Sequence, residues 1–418
     1  MLISGLHHSR EDGEEVLSAK IAWEDNDRPA GEYFFRTAVP DVSLDVPNYN
    51  AFLAGTVAPA LRWGERRIKI DGPVCPRLAD NLKTAAGYLS TWFWYKYGFS
   101  KSGHHEFTVE ASFLEEVENR PARTGSFFSG GIDSLFALQH NRETIPRQHP
   151  SSIRDIVFVH GFDMGTRGHW GSWGNELEFF NDMVESFRPL AEETGVRLIP
   201  MRTNIRVLDN AVDGWLEDYM GLAMASVAHS LSRELTDMYV PSSYDIATLH
   251  PCASNPAIEP NASSAALRIH HENVRFTRLE KVASVAKWPS GLSALRVCFG
   301  GVPGVPNCGK CTKCFRTMLE LACSGNLEKA VTFPKTDITP AMVSERLCPT
   351  YESLPFLGEI AAQLETAGRK DLARAVLREK RLFTLKTLVD VKRFARDIDE
   401  HMLSGRLKRL IKPPKAAA

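Results

Sequence analysis

Two stretches of this sequence hold residue types at spacings that can do chemistry. The first is Phe127-Phe128-Ser129-Gly130-Gly131-Ile132-Asp133-Ser134, an apolar run that enters two glycines and continues into a helical pattern. Glycines let the backbone approach an anion closely, successive N–H groups point into the turn, and the following helix adds the positive end of its dipole. Ser129 and Ser134 supply hydroxyl donors, and Asp133 suits both a helix cap and a Mg2+ that bridges phosphates. The lysine and spacing of a Walker-type loop are absent. The second stretch is Cys298 followed by Cys308-x-x-Cys311-x-x-Cys314. Three thiols around a tight turn, with a fourth across the loop, make a closed tetrahedral set, which predicts structural Zn2+ rather than a catalytic ion with an open position. Lys310 and Lys313 flank the thiols and offset part of their charge.

The elements that must position these groups follow from the apolar rhythm. Short apolar runs at 126–128, 156–159, 196–200 and 238–241 alternate with helical patterns near 135–140, 177–194 and 215–235. Such alternation predicts an α/β fold with a doubly wound parallel sheet over residues 121–295. Ligands of these sheets bind beyond the C-terminal ends of the strands, near the switch in strand order. That rule sets His160, Gly161 and Asp163 at the rim after the second strand, and Ser242, Ser243 and Asp245 after the fourth. The glycine- and aromatic-rich run 164–174 reads as a lid. Arg278 and Lys281, at i and i+3 on one helical face, are two cations that can stabilise negative charge near the glycine loop.

Residues 1–120 read as an accessory α+β domain, with strands at 32–36 and 66–70, the second broken by Asp71-Gly72-Pro73. A helix follows Pro76, and the aromatic run at 92–95 closes that core. Residues 296–330 form the zinc-binding knuckle. Residues 331–418 read as helical, and from Arg369 onward Lys and Arg exceed Asp and Glu by nine. A solvated or partner-docking face is the plain reading of that basic tail, and an RNA- or protein-binding tail the sharper one.

The whole chain has 418 residues, a net charge of -1, 43% hydrophobic and 24% charged residues. That balance excludes disordered, collagen-like and uniformly nucleic-acid-coating classes. No apolar run is long enough to span a membrane, and the start lacks a basic, apolar leader, so a cytoplasmic address is expected. Cys75, Cys252, Cys323 and Cys348 are scattered and read as packed thiols. Cys252 is also the one candidate for sulfur transfer. The pairs His7-His8, His104-His105 and His270-His271 lack ligand partners and read as surface or capping residues.

Ser-Gly-Gly-x-Asp-Ser after a strand resembles the phosphate loop of the PP-loop ATP pyrophosphatase superfamily, whose fold is of the adenine-nucleotide α-hydrolase type. With the late cluster Cys308-Gly-x-Cys311-x-x-Cys314, the chain resembles 7-cyano-7-deazaguanine synthase-like proteins over residues 121–325. The resemblance implies an ATP-dependent C–N ligase that releases AMP and pyrophosphate. Ser129, Gly130, Gly131, Asp133 and Ser134 would hold ATP–Mg2+, with His160 and Gly161 beside the nucleotide and Asp163, Ser242 and Ser243 beside the substrate. Asp133, Arg278 and Lys281 would be catalytic. The acceptor would be a small-molecule or peptide carboxylate or amide, and the nucleophile ammonia or an amine. A tRNA- or base-thiolating enzyme and a non-catalytic nucleotide-binding subunit are the alternatives. The N-terminal region, the tail and the stretch 160–174 depart from the family pattern, so the deazapurine substrate is not carried over.

Overall fold

The computed structural model describes residues 1–93, 108–115, 120–164, 176–209, 214–298, 304–334, 337–350 and 353–389. All of the expected lid at 164–174 except Met164, together with His104-His105 and the basic tail beyond 389, lies outside them. The strands are β1 (Leu2–Glu11), β2 (Glu14–Ala22), β3 (Gly31–Thr37), β4 (Arg67–Val74), β5 (Thr108–Phe113), β6 (Thr124–Phe127), β7 (Ile153–His160), β8 (Arg197–Thr203), β9 (Asp237–Pro241) and β10 (Arg268–Glu272). The helices are α1 (Asn50–Arg62), α2 (Pro76–Trp92), α3 (Ile132–Thr144), α4 (Glu176–Thr194), α5 (Met220–Ser230), α6 (Arg278–Val285), α7 (Pro289–Ser293), α8 (Thr312–Cys323), α9 (Pro340–Arg346), α10 (Leu354–Thr366) and α11 (Lys370–Val389).

All ten strands form one α/β sheet in the order β10-β9-β6-β7-β8-β3-β2-β1-β4-β5. The five strands β6 to β10 are mutually parallel. Numbered by appearance they stand in the order 3-2-1-4-5, whose switch point falls between β6 and β9. The first strand-to-strand links, through α3 and α4, run on one face, and α5 crosses back on the other. Coverage on both faces explains the unbroken apolar run in β7. Ile156 and Phe158 enter the cluster on the α3–α4 face, while Val157 and Val159 enter the opposite cluster.

The region read as a separate N-terminal domain continues the same sheet: β3 pairs antiparallel with β8 through Phe35 and Thr203. Leu17, Ala19 and Ile21 of β2 and Tyr33 and Phe35 of β3 join the cluster under α1, α2 and α5, while Val16 and Ser18 are buried on the other face of β2. The expected strand break at Asp71-Gly72-Pro73 is instead an irregularity inside β4, where the register with β5 shifts between Lys69 and Pro73. Gly72 is needed there, because a Cβ would lie 2.3 Å from the ring of Tyr49. The helix expected over 215–235 is a five-residue π turn, Trp215–Tyr219, followed by α5. The described helices α10 and α11 pack into the body of the protein. Leu357 and Ile360 of α10 and Leu372 and Val376 of α11 are buried in the cluster that also holds the knuckle helix α8.

Two further readings change. His271 lies on β10 with its side chain 2% exposed and Nδ1 3.3 Å from Glu259, so it is an interior residue. Cys75 and Cys252 are buried as expected, but Cys348 is exposed.

In the last turn of α5, His229 is fully buried and its Nε2 donates to the Ala262 carbonyl at 2.8 Å. Burial pushes this imidazole down from 6.5 to about 4. A depressed histidine pKa leaves stability intact above the unfolded value and removes it as pH falls from 6.5 toward 4. Equilibrium unfolding should therefore give a stability about 2 kcal/mol lower at pH 5 than at pH 7.5 from this residue. His229→Gln, which retains the donor but cannot titrate, should remove that part of the pH dependence.

Candidate functional site

The glycine loop follows β6, and its shape is set by internal hydrogen bonds. Gly130 has φ +72°, and a Cβ there would meet Phe187 at 2.7 Å and the Ala294 carbonyl at 2.9 Å, so only glycine fits. The Ser134 hydroxyl donates to the Gly131 carbonyl at 3.0 Å and accepts from the Ser129 N–H at 3.2 Å. It closes the loop rather than standing free toward a ligand. Ser129 is exposed at the mouth, with its Oγ accepting from the Gly131 N–H at 3.3 Å. Helix α3 begins at Ile132 directly behind, which aims the N-terminal end of a 13-residue helix at the loop.

Asp133, in the first turn of α3, gathers cations from elsewhere in the chain. Arg278 donates to its Oδ2 at 2.7 Å, and Lys281 Nζ lies 3.5 Å from its Oδ1. Burial raises the Asp133 carboxyl, but Arg278 and Lys281 outweigh it and hold the group below the usual range. Arg278 is 7% exposed and shares its charge with Glu320 of α8 at 3.3 Å. Burial alone would lower Arg278, and the two carboxylates reverse that. Lys281, 1% exposed, is pushed down by burial and donates to the Ser242 carbonyl at 2.6 Å. Helix α6, which carries both cations, is fixed at its start by a capping box in which Thr277 and Glu280 exchange hydrogen bonds. Asp133 is thus a counterion for two side chains, and its buried Oδ1, 3.5 Å from Lys281, has no hydrogen-bond partner.

The remaining expected residues divide. Ser242, 1% exposed, offers its carbonyl to Lys281 and turns its hydroxyl to the Tyr244 carbonyl at 2.6 Å. Ser243 is exposed beside it. Asp245 caps its own turn, accepting from Ala247 and Thr248 N–H groups. His160 ends β7 with a buried Nε2 that has no hydrogen-bond partner. Burial, with Arg202 nearby, pushes it down to about 4, so it is neutral at pH 7. Gly161 has φ +108°, and a Cβ would lie 1.9 Å from the Thr203 carbonyl, so close strand packing accounts for it. The half-buried Asp163 lies within electrostatic range of Arg206 and Arg296. Three participants, Arg296, Arg316 and Glu320, escape the sequence reading. Arg316 and Glu320 sit at i, i+4 on α8 at 3.4 Å, a spacing shared by ordinary surface pairs.

Cys298, Cys308, Cys311 and Cys314 place their sulfurs within 4.8 Å of one another. The separations Cys298–Cys311, 3.8 Å, and Cys308–Cys314, 3.9 Å, match the edge of about 3.8 Å expected for a tetrahedron with metal–sulfur bonds of about 2.3 Å. The Lys310 and Cys311 N–H groups point at Cys308 Sγ at 3.4 and 3.3 Å, and Cys314 N–H at Cys311 Sγ at 3.5 Å. Asn307 Oδ1 accepts from the Val297 and Cys298 N–H groups, locking the distant ligand to the turn. The four-cysteine set can hold a metal ion such as zinc.

No family model, curated protein or solved structure matches this chain. Among the described residues, no helix is long and apolar enough to cross a membrane.

With Zn2+ as the probe ion, the chain should bind one equivalent. Cys311→Ser should weaken that binding by at least the roughly 100-fold that loss of an outer-shell partner costs, and should lower the unfolding midpoint, since metal binding and folding are linked. Metal titration and thermal melts with and without a chelator check both.

Proposed function

We propose that this protein is an ATP-dependent adenylating enzyme of the PP-loop type, activating a carboxylate or amide oxygen for attack by ammonia or an amine. The observation that carries the reading is the meeting of a glycine loop, a helix N-terminus and two buried cations at the switch point of a 3-2-1-4-5 sheet. Lys281 spans that switch, touching Asp133 behind β6 and the Ser242 carbonyl behind β9. An anion of high charge is the ligand such a site recognises, and a nucleotide triphosphate is the one the loop's resemblance suggests.

In this reading the Gly130–Gly131 backbone and the start of α3 hold the phosphates. An acceptor oxygen attacks the α-phosphorus, the bond to the β-phosphate oxygen breaks, and pyrophosphate leaves toward Arg278 and Lys281. The amine nitrogen then adds to the activated carbon and AMP departs, two easier steps in place of one. Zn2+ in the knuckle is structural, with four thiol ligands and no open position. The alternative of sulfur transfer fits Cys252 poorly. Burial and the nearby Glu259 push its thiol up to about 11, and the thiol donates to the Ser254 carbonyl.

Incubation with ATP and a panel of carboxylates plus ammonia should yield AMP and pyrophosphate by chromatography. Formation of ADP alone would overturn the assignment. Lys281→Met should lower turnover by roughly 100-fold or more, the scale of one lost electrostatic stabiliser. Asp133→Ala is a poorer probe, because stripping the counterion from two buried cations should also destabilise the fold by about 3–5 kcal/mol.

A further inference from the structure

The charges around the glycine loop fall into two sets. On the β9 side, Arg278 and Lys281 are already engaged by Asp133, Glu320 and the Ser242 carbonyl. On the β7 side stands Arg296, which is 5% exposed and has a buried Nε without a hydrogen-bond partner. Among the described residues no carboxylate forms an ion pair with it. Its guanidinium lies 5.4 Å over the Phe179 ring, and Asp163 at the rim and the knuckle cysteines Cys298 and Cys314 act on it electrostatically without a direct ion pair. An Arg side chain presents five donors and cannot shed its charge, so burying it without an anion is costly, and an aromatic face compensates only part of the loss.

The backbone of Arg296 is fixed against the loop itself. Its N–H donates to the Gly130 carbonyl at 2.8 Å, and a Cβ on Gly131 would come 3.7 Å from the Arg296 carbonyl. One residue on, Val297 is tied to Asn307 of the knuckle. The side chain is thus held between the glycine turn, Phe179 of α4 and the rim after β7.

We propose that Arg296 forms a second anion subsite, on the β7 side of the loop, that takes a phosphate group of the nucleotide through its planar fork. The proposal rests on the nucleotide reading above and adds a cation beside the loop that, among the described residues, no carboxylate pairs by direct contact. Arg278 and Lys281 shape the far flank, and Arg296 supplies the uncommitted charge.

Thermal melts of the full chain with ATP, and separately with inorganic pyrophosphate, test this on wild type, Arg296→Met and Arg296→Lys. Without ligand, Arg296→Met should melt at or above wild type, since it removes an unpaired buried charge. Its apparent affinity for ATP should fall roughly 10–100-fold, with Arg296→Lys between the two. If Arg296→Met binds ATP as tightly as wild type does, the subsite is refuted while the nucleotide reading stands. If Arg296→Met melts well below wild type without ligand, the guanidinium is a structural group and the proposal falls. A wild type unmoved by ATP overturns the nucleotide reading itself, and the subsite with it.

Discussion

The buried carboxylate of Asp133 is the point on which the crevice depends. It draws Arg278 and Lys281 from a helix nearly 150 residues later in the chain onto the first turn of α3. Through Arg278 it is linked to Glu320 on the knuckle helix, and through Lys281 to the loop after β9. Removing one partner of a buried charge pair is costly, so each partner's position constrains the others. Segments from α3, the loop after β9, α6 and α8 are thereby held in one place.

The sheet provides the frame for that network. Parallel strands covered on both faces end their C-terminal edges in one row, and the reversal of strand order opens a gap between the loops after β6 and β9. The N-terminal strands extend the sheet at its other side, where β3 joins β8, and leave the switch point open. The knuckle is joined to the same frame. Cys298 lies two residues beyond Arg296, whose N–H is bonded to the glycine loop, and Arg346 of α9 donates to the Gly309 carbonyl within the knuckle turn. Loss of the four-thiol cluster would therefore be felt at the loop through the backbone.

Local patterns were legible where one segment contains its own reason. The apolar runs gave β6 to β9 because strands buried on both faces are written as continuous apolar stretches. The C-x-x-C-x-x-C spacing located the knuckle for the same reason. Strands β1, β2, β5 and β10 were not read. β10 is short, and its His270-His271 pair imitates a polar surface until Asp237 and Glu259 are brought beside it.

The sequence by itself determined the parallel strands β6 to β9, the glycine turn and the four-thiol set, because each is fixed largely by near neighbours. Tertiary structure alone decided which charges are spent and which are free. It brought Arg278 and Lys281 onto Asp133, and left Arg296 buried beside the loop with no carboxylate in direct contact among the described residues. Those outcomes depend on distances between groups tens to hundreds of residues apart, where burial removes the water that would otherwise make every pairing nearly equivalent.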